Sequence, residues 1–136
     1  MKFRLATIPL ALALGSLVAC QSVPVAKDAA KIELAFSWPK GSPCFGPSPA
    51  MTLSNIPKNT AYLKFEMRDL NAPFRHGGGT LSYTGDNIIP QGALKDYQGP
   101  CPPMGQVHTY EISVNALTQK KDLIVGTGAS SKKFPE

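Results

Sequence analysis

The sequence predicts a mostly β domain with little helix, and three observations carry that expectation. Proline and glycine number 13 and 12 in the 136 residues. That density breaks up long helices and favours strands joined by shaped loops. Three segments, 32–38, 61–69 and 107–117, alternate apolar and polar side chains with the period of two that a half-buried strand requires. The length is enough for one domain only.

The first 19 residues do not read as part of that domain. Lys2 and Arg4 give a positive start, residues 8–18 are apolar apart from Pro9, Gly15 and Ser16, and Leu17-Val18-Ala19-Cys20 follows. A charged start, a short apolar stretch and small residues at a cut mark a secretory signal. The run is too short and too interrupted for a stable transmembrane helix. A cysteine directly after Leu-x-Ala resembles the bacterial lipobox. The expectation is therefore a lipoprotein signal peptide over 1–19 and acylation, of the palmitate kind, at Cys20. An ordinary signal peptide with a chance cysteine is the plainer alternative. Several acyl chains, each buried methylene contributing about 0.8 kcal/mol, make a stable anchor. Gln21, where an aspartate would signal retention, resembles the sorting state of lipoproteins held in the outer membrane and facing the periplasm.

Residues 20–30 (CQSVPVAKDAA) are small and polar and read as lipidated cysteine plus tether. Residues 31–126 are expected to fold, and 127–136 to form a loose tail. Cleavage after Ala19 leaves 117 residues with a net charge of +3. So mild an excess does not point to nucleic acid; it favours acidic headgroups or small anions slightly.

In the first strand Ile32, Leu34, Phe36 and Trp38 share a face, and Pro39 stops it. In the second, Ala61, Leu63, Phe65 and Met67 oppose Tyr62, Lys64, Glu66 and Arg68. In the third, His108, Tyr110, Ile112, Val114 and Ala116 oppose Val107, Thr109, Glu111, Ser113 and Asn115. Weaker strands are expected over 51–53, 80–83 and 123–125.

This alternation sets polar groups on apolar faces. Asp69 continues the face of Leu63, Phe65 and Met67, and a carboxylate pointing into a core must be paired or stand at a cavity mouth. His108 and Tyr110 lead the face of Ile112 and Val114. In neighbouring antiparallel strands, the end carrying Asp69 would meet the end carrying His108 and Tyr110, giving a small polar pocket at the rim of an apolar core. A satisfied structural Asp–His pair is the plainer alternative. Beside it, Gly99-Pro100-Cys101-Pro102-Pro103 makes a stiff loop that loses little entropy on binding. His76-Gly77-Gly78-Gly79 reads either as a backbone cradle for an anion or as a plain flexible turn. In an oxidising compartment the even pair Cys44 and Cys101 predicts a disulfide. Closing a loop of about 56 residues, it would contribute about 4 kcal/mol in the chain-entropy model.

Several chemistries are excluded. His-Gly-Gly-Gly occurs in esterase oxyanion segments, but no Gly-x-Ser-x-Gly accompanies it and the chain is too short for that fold. There is no phosphate-binding loop or dinucleotide fingerprint. Two histidines without metal-like spacing do not make a catalytic zinc site. Ser48, Ser54 and Ser82 show no spacing that marks a nucleophile, so the expectation is not an enzyme. No cofactor and no metal are expected.

The series Cys44-Phe45-Gly46-Pro47-Ser48-Pro49, Ile56-Pro57, Asp69-Leu70-Asn71-Ala72-Pro73, Gly99-Pro100-Cys101-Pro102-Pro103 and His108-Thr109-Tyr110 resembles the phosphatidylethanolamine-binding protein family in its bacterial branch, over about residues 31–118. The resemblance implies an antiparallel β-sandwich with a Greek-key connection and a pocket for small anions such as phosphate-type headgroups or phosphorylated groups. It implies Asp69 and Pro73 as one wall, His76 beside them, Gly99, Pro100, Pro102 and Pro103 as the rim, and His108 and Tyr110 as the other wall. The sequence departs from the family pattern at Asn71, where an acid is usual, at Gly77, where an aromatic is usual, and at Thr109, where arginine is common. It also ends without the family's C-terminal helical segment.

The functional expectation is a membrane-anchored binding protein in which His108, His76 and Tyr110 donate to an anion and Asp69 orients a histidine. Affinity should fall as rising pH strips the imidazoles of their protons. A protein-interaction module, such as a protease inhibitor or a regulator of an envelope partner, is the alternative. A structural lipoprotein with a vestigial pocket is a third.

Overall fold

The computed structural model describes residues 22–41 and 44–136; the expected signal peptide over 1–19 and the expected acylation at Cys20 lie outside them. The described residues form nine strands and no helix. These are β1 (Val25–Lys31), β2 (Glu33–Phe36), β3 (Met51–Ser54), β4 (Tyr62–Asp69), β5 (Arg75–Ser82), β6 (Ile88–Ile89), β7 (Asp96–Tyr97), β8 (His108–Leu117) and β9 (Ile124–Phe134). They make two sheets, one ordered β1-β9-β8-β4-β5-β7 and the other β2-β3-β6.

The long strands follow from their alternation. On β4 and β8 every second residue is buried, ending in Asp69 on one and beginning with His108 on the other. Leu63, Phe65, Met67, Ile112 and Val114 from the large sheet meet Leu34, Phe36, Met51, Leu53 and Ile89 from the small one in a single apolar core. Burying these side chains, at roughly 1.5–3 kcal/mol each, holds the sheets face to face.

Four expectations need correction. Residues 127–136 are not a tail: β9 pairs with β8 along its length, from Leu117 opposite Ile124 to His108 opposite Phe134. Its Gly, Ser and Lys content concealed it, because polar residues suffice on the solvent face of a strand held by neighbours on both sides. A side chain at Gly128 would overlap the Ile32 carbonyl, so the glycine marks a close approach of backbones.

The tether is shorter than expected, because residues 25–31 pair with β9. This pair is parallel, so the large sheet is mixed and not wholly antiparallel. The open edge of β9 supplies the hydrogen-bonding groups that draw in a segment of low strand propensity.

The third correction concerns His76-Gly77-Gly78-Gly79, which is neither turn nor anion cradle. It lies in β5, where Gly78 stands opposite Glu66 on β4 and Asp96 on β7. Side chains at Gly77 or Gly78 would overlap the carbonyls of Asp96 or Phe65, so these glycines let three strands lie close together. Finally, the first strand is shorter than 32–38: Ile32 bridges the sheets, its N–H donating to the Thr127 carbonyl over 2.8 Å, and Trp38 lies beyond β2.

Cys44 and Cys101 are joined in a disulfide. It ties the loop before β3 to the proline-rich loop before β8.

Because β9 lies between β1 and β8, a chain ending at Gly126 should show no cooperative unfolding transition by circular dichroism. A truncated chain melting at the full-length temperature would mean that the last ten residues are dispensable.

Candidate functional site

The register of β4 on β8 puts Asp69 opposite Tyr110. From there the Asp69 carboxylate reaches His108, whose Nδ1–H donates to Oδ2 over 2.6 Å. Both side chains are nearly buried. The second carboxylate oxygen, Oδ1, accepts from the Asn71 N–H at 2.7 Å. The Asn71 side-chain oxygen accepts in turn from the Thr109 N–H at 2.7 Å. Asn71, where an acid is usual in the resemblance, thus fastens the loop after β4 to the start of β8. Asp-x-Asn is a turn signal legible in sequence, although its bond to Thr109 is not.

Burial by itself raises the Asp69 pKa. The hydrogen bond from His108, those from the Asn71 and Ala72 backbone, and the charge of His108 together outweigh it, so the carboxyl titrates below its ordinary value.

His108 has a further partner that the sequence did not suggest. Its Nε2 meets the side-chain oxygen of Gln106 at 3.1 Å. With Nδ1 donating to a carboxylate, Nε2 either donates to that oxygen as imidazolium or accepts from the amide group turned over. In both forms Gln106 occupies the nitrogen.

His76, buried at the start of β5, is held from the other side. Its Nδ1–H donates to the Gln98 carbonyl over 3.0 Å, and the Gln98 N–H returns a bond to the His76 carbonyl at 2.8 Å. With Nδ1 committed, Nε2 is the nitrogen left for a ligand. The Phe74 ring stands edge-on to His76 at 4.7 Å. Neither Phe74 nor Gln98 was found from the sequence. Gln98 acts through its backbone, which no residue type announces.

A cavity of about 350 Å³ lies over these groups, lined by Asp69, Ala72, Phe74, His76, Gln98, Cys101, Pro103 and His108. Four of the expected site residues therefore share it: Asp69, His76, His108 and Pro103. Tyr110 does not line it. Its ring is completely buried, edge-on to His76 at 5.2 Å and stacked at 6.3 Å from His108. Among the described residues its hydroxyl makes no well-formed hydrogen bond, although it stands beside the Asp69 carboxylate and the Cys101 backbone. Burial, with the charge of Asp69, pushes its pKa up to about 12.

Pro73 is exposed and outside the lining. Gly99 and Pro100 are buried and outside the lining, and Pro100 borders a separate small cavity with Trp38, Pro47 and Tyr97. Pro102 is half-buried and also outside the lining, so Cys101 and Pro103 alone present the loop to the cavity.

A larger groove of about 510 Å³ crosses the outer face of the sheet over Glu66, Arg68, Arg75 and Glu111. Its charges neutralise one another, Arg68 with Glu111 at 2.8 Å and Arg75 with Glu66 at 3.2 Å. Ser48, buried behind the core, accepts from the Leu94 N–H at 3.1 Å and is tied up structurally.

Two solved structures share this architecture. A homolog of the phosphatidylethanolamine-binding proteins (PEBPs) from Chlamydia trachomatis superposes with a TM-score of 0.58, over 80% of this chain and 99% of its own, at 16% identity. YbcL of E. coli, described as a new member of the mammalian PEBP family, gives 0.57 over 77% and 98%, at 17% identity. The chain has the PEBP fold. No family model matches its sequence, and no curated protein does. The PEBP fold accounts for the order of motifs along the chain, since the Asp69 strand and the His108 strand are neighbours in the large sheet.

The lowered Asp69 pKa fixes the sign of a pH effect. Its contribution to stability is whole above the unfolded-state value of about 3.9 and is lost as pH falls through the lower folded value. The urea midpoint should therefore drop on going from pH 5 towards pH 2. Asp69→Asn should cost about 2 kcal/mol at neutral pH and show a shallower acid drop. An equally steep drop in the variant would assign it to other carboxylates.

Proposed function

We propose that this chain is a lipid-anchored binding protein of the cell envelope whose cavity takes a small anion, such as a phosphate-type headgroup or a phosphorylated group. The observation that carries the reading is the convergence of two oriented imidazoles, His76 and His108, on one cavity whose only lining carboxylate, Asp69, is already bonded to His108 and Asn71. A carboxylate so engaged orients the histidine, and with each Nδ1 committed the two Nε2 atoms are the positions that donate to an anion when the rings are imidazolium. Gln106 supports the same reading, since its amide oxygen lies where an anion's oxygen would sit on His108 Nε2. Binding then exchanges one oxygen for another. The signal-like start and Cys20 support the anchor, with the outer membrane as its place.

The reading is of a binding protein and not an enzyme, since acid–base groups are present without a positioned nucleophile. A second reading, a protein-interaction module, is favoured by one observation: Leu70, Phe74, Met104 and Val107, all exposed, flank the cavity residues.

Calorimetric titration with phosphorylethanolamine tests the first reading. Wild type should bind, and His108→Ala should lose at least about tenfold in affinity, the worth of one hydrogen bond to a charged group. Gln106→Ala should bind several-fold more tightly, because a competing group is gone. A folded wild-type protein that takes up no phosphorylethanolamine at any pH would end the proposal.

A further inference from the structure

We propose that the anchored protein holds its cavity facing away from the bilayer that carries it. Its anion would then come from the aqueous compartment and not from the headgroups of its own membrane. This rests on the lipid anchor read above and deepens the binding assignment by naming the source of the ligand.

The direction of the strands decides it. Strand β8 begins at the cavity with His108 and runs away from it to Leu117, and β9 starts opposite Leu117 at Ile124 and returns to Phe134. Strand β1 joins the sheet at the start of β9, with Val25 opposite Ile124. One residue earlier, the Pro24 carbonyl accepts from the Ile124 N–H at 2.9 Å. The chain therefore enters the domain at the end of the sheet remote from the cavity. Strand β8 has ten residues, which at about 3.4 Å each puts its ends about 30 Å apart.

Between Cys20 and Pro24 lie three residues, Gln21, Ser22 and Val23. Fully extended, that stretch reaches about 14 Å. Turning the domain over to bring the cavity to the headgroups would lift Pro24 about 30 Å from the bilayer, twice what the linker spans. The incorporation of residues 25–31 into the sheet is what makes the linker this short.

The linker, and not the side chains at the two ends, sets the direction. The end where the chain enters carries exposed Lys58, Lys120 and Lys121, the last over the Tyr62 ring at 4.1 Å. Against them stand Asp86 and Asp122, each accepting from a threonine hydroxyl. Lys132 and Lys133 on β9 and the Arg68 and Arg75 pairs with Glu111 and Glu66 lie at the cavity end, so charge favours neither end for an anionic headgroup layer. The cavity end carries the exposed apolar Leu70, Phe74, Met104 and Val107. On an unanchored protein such a ring would serve for insertion into lipid; here the linker keeps it away.

The arrangement of cysteines permits a direct test. With Cys20 acylated and Cys44 bonded to Cys101, an introduced cysteine is the one free thiol of the chain. Full-length lipoprotein carrying Lys120→Cys or Met104→Cys, each labelled with a fluorophore, is inserted in phosphatidylethanolamine–phosphatidylglycerol vesicles containing lipid with a nitroxide on its headgroup. The label at Lys120→Cys should lose most of its fluorescence and the label at Met104→Cys should keep its own. Quenching at Met104→Cys, or equal quenching at both, overturns the orientation, and so does a mature mass without acyl chains on Cys20. Phosphorylethanolamine is then titrated onto the same vesicles. Expected quenching without phosphorylethanolamine binding would retain the orientation and remove the anion assignment, while binding with quenching at Met104→Cys would do the reverse.

Discussion

The pairing of β4 with β8 is the constraint from which the rest follows. Its register places Asp69 opposite Tyr110 and within a hydrogen bond of His108. Because side chains alternate strictly along a strand, a slip of one residue would turn Asp69 out to solvent while Leu63, Phe65 and Met67 left the core with it. The apolar alternation that drives folding therefore also aims the polar groups. The site needs no separate device to point it inward; it is the last step of two hydrophobic ladders.

Around this pair the fold adds restraints that differ in kind. Asn71 closes the loop after β4 onto the start of β8 through two short bonds. The backbone of Gln98 grips His76 by both its ring and its carbonyl. Glycines 77 and 78 let β5 lie against β4 and β7 without interposed side chains, which brings His76 near enough to Tyr110 for their rings to touch. Gln106 alone is expendable: it stands on an exposed stretch and satisfies a nitrogen that a ligand could satisfy as well.

What the sequence made legible was what alternation encodes. Asp69, His108 and Tyr110 could be placed on inward faces because each extends an apolar series of period two, and the outline of β4 and β8 came from the same signal. Strand β1 was not legible, and of β9 only the start, over 123–125, was expected. Their residues are small or polar, and they are strands because neighbours offer them a ladder, which is a tertiary cause. The complete burial of Tyr110, away from the cavity surface, was missed because alternation gives a side and not a depth. His76 was placed near the pocket by resemblance, while its glycine neighbours suggested a turn where the structure has a strand. Pro73, Gly99, Pro100 and Pro102 were expected as contacts because they flank the right residues, and flanking in sequence does not decide facing.

The disulfide has an effect beyond stabilising the chain. Cys101 is itself a cavity-lining residue, so its bond to Cys44 fixes one wall while the Asp69–His108 pair on the strands is untouched by it. Reduction would release that wall and withdraw the constraint the bond places on the unfolded chain. The cavity would then be complete only once the two thiols have oxidised, so its shape is coupled to the redox state of the surroundings.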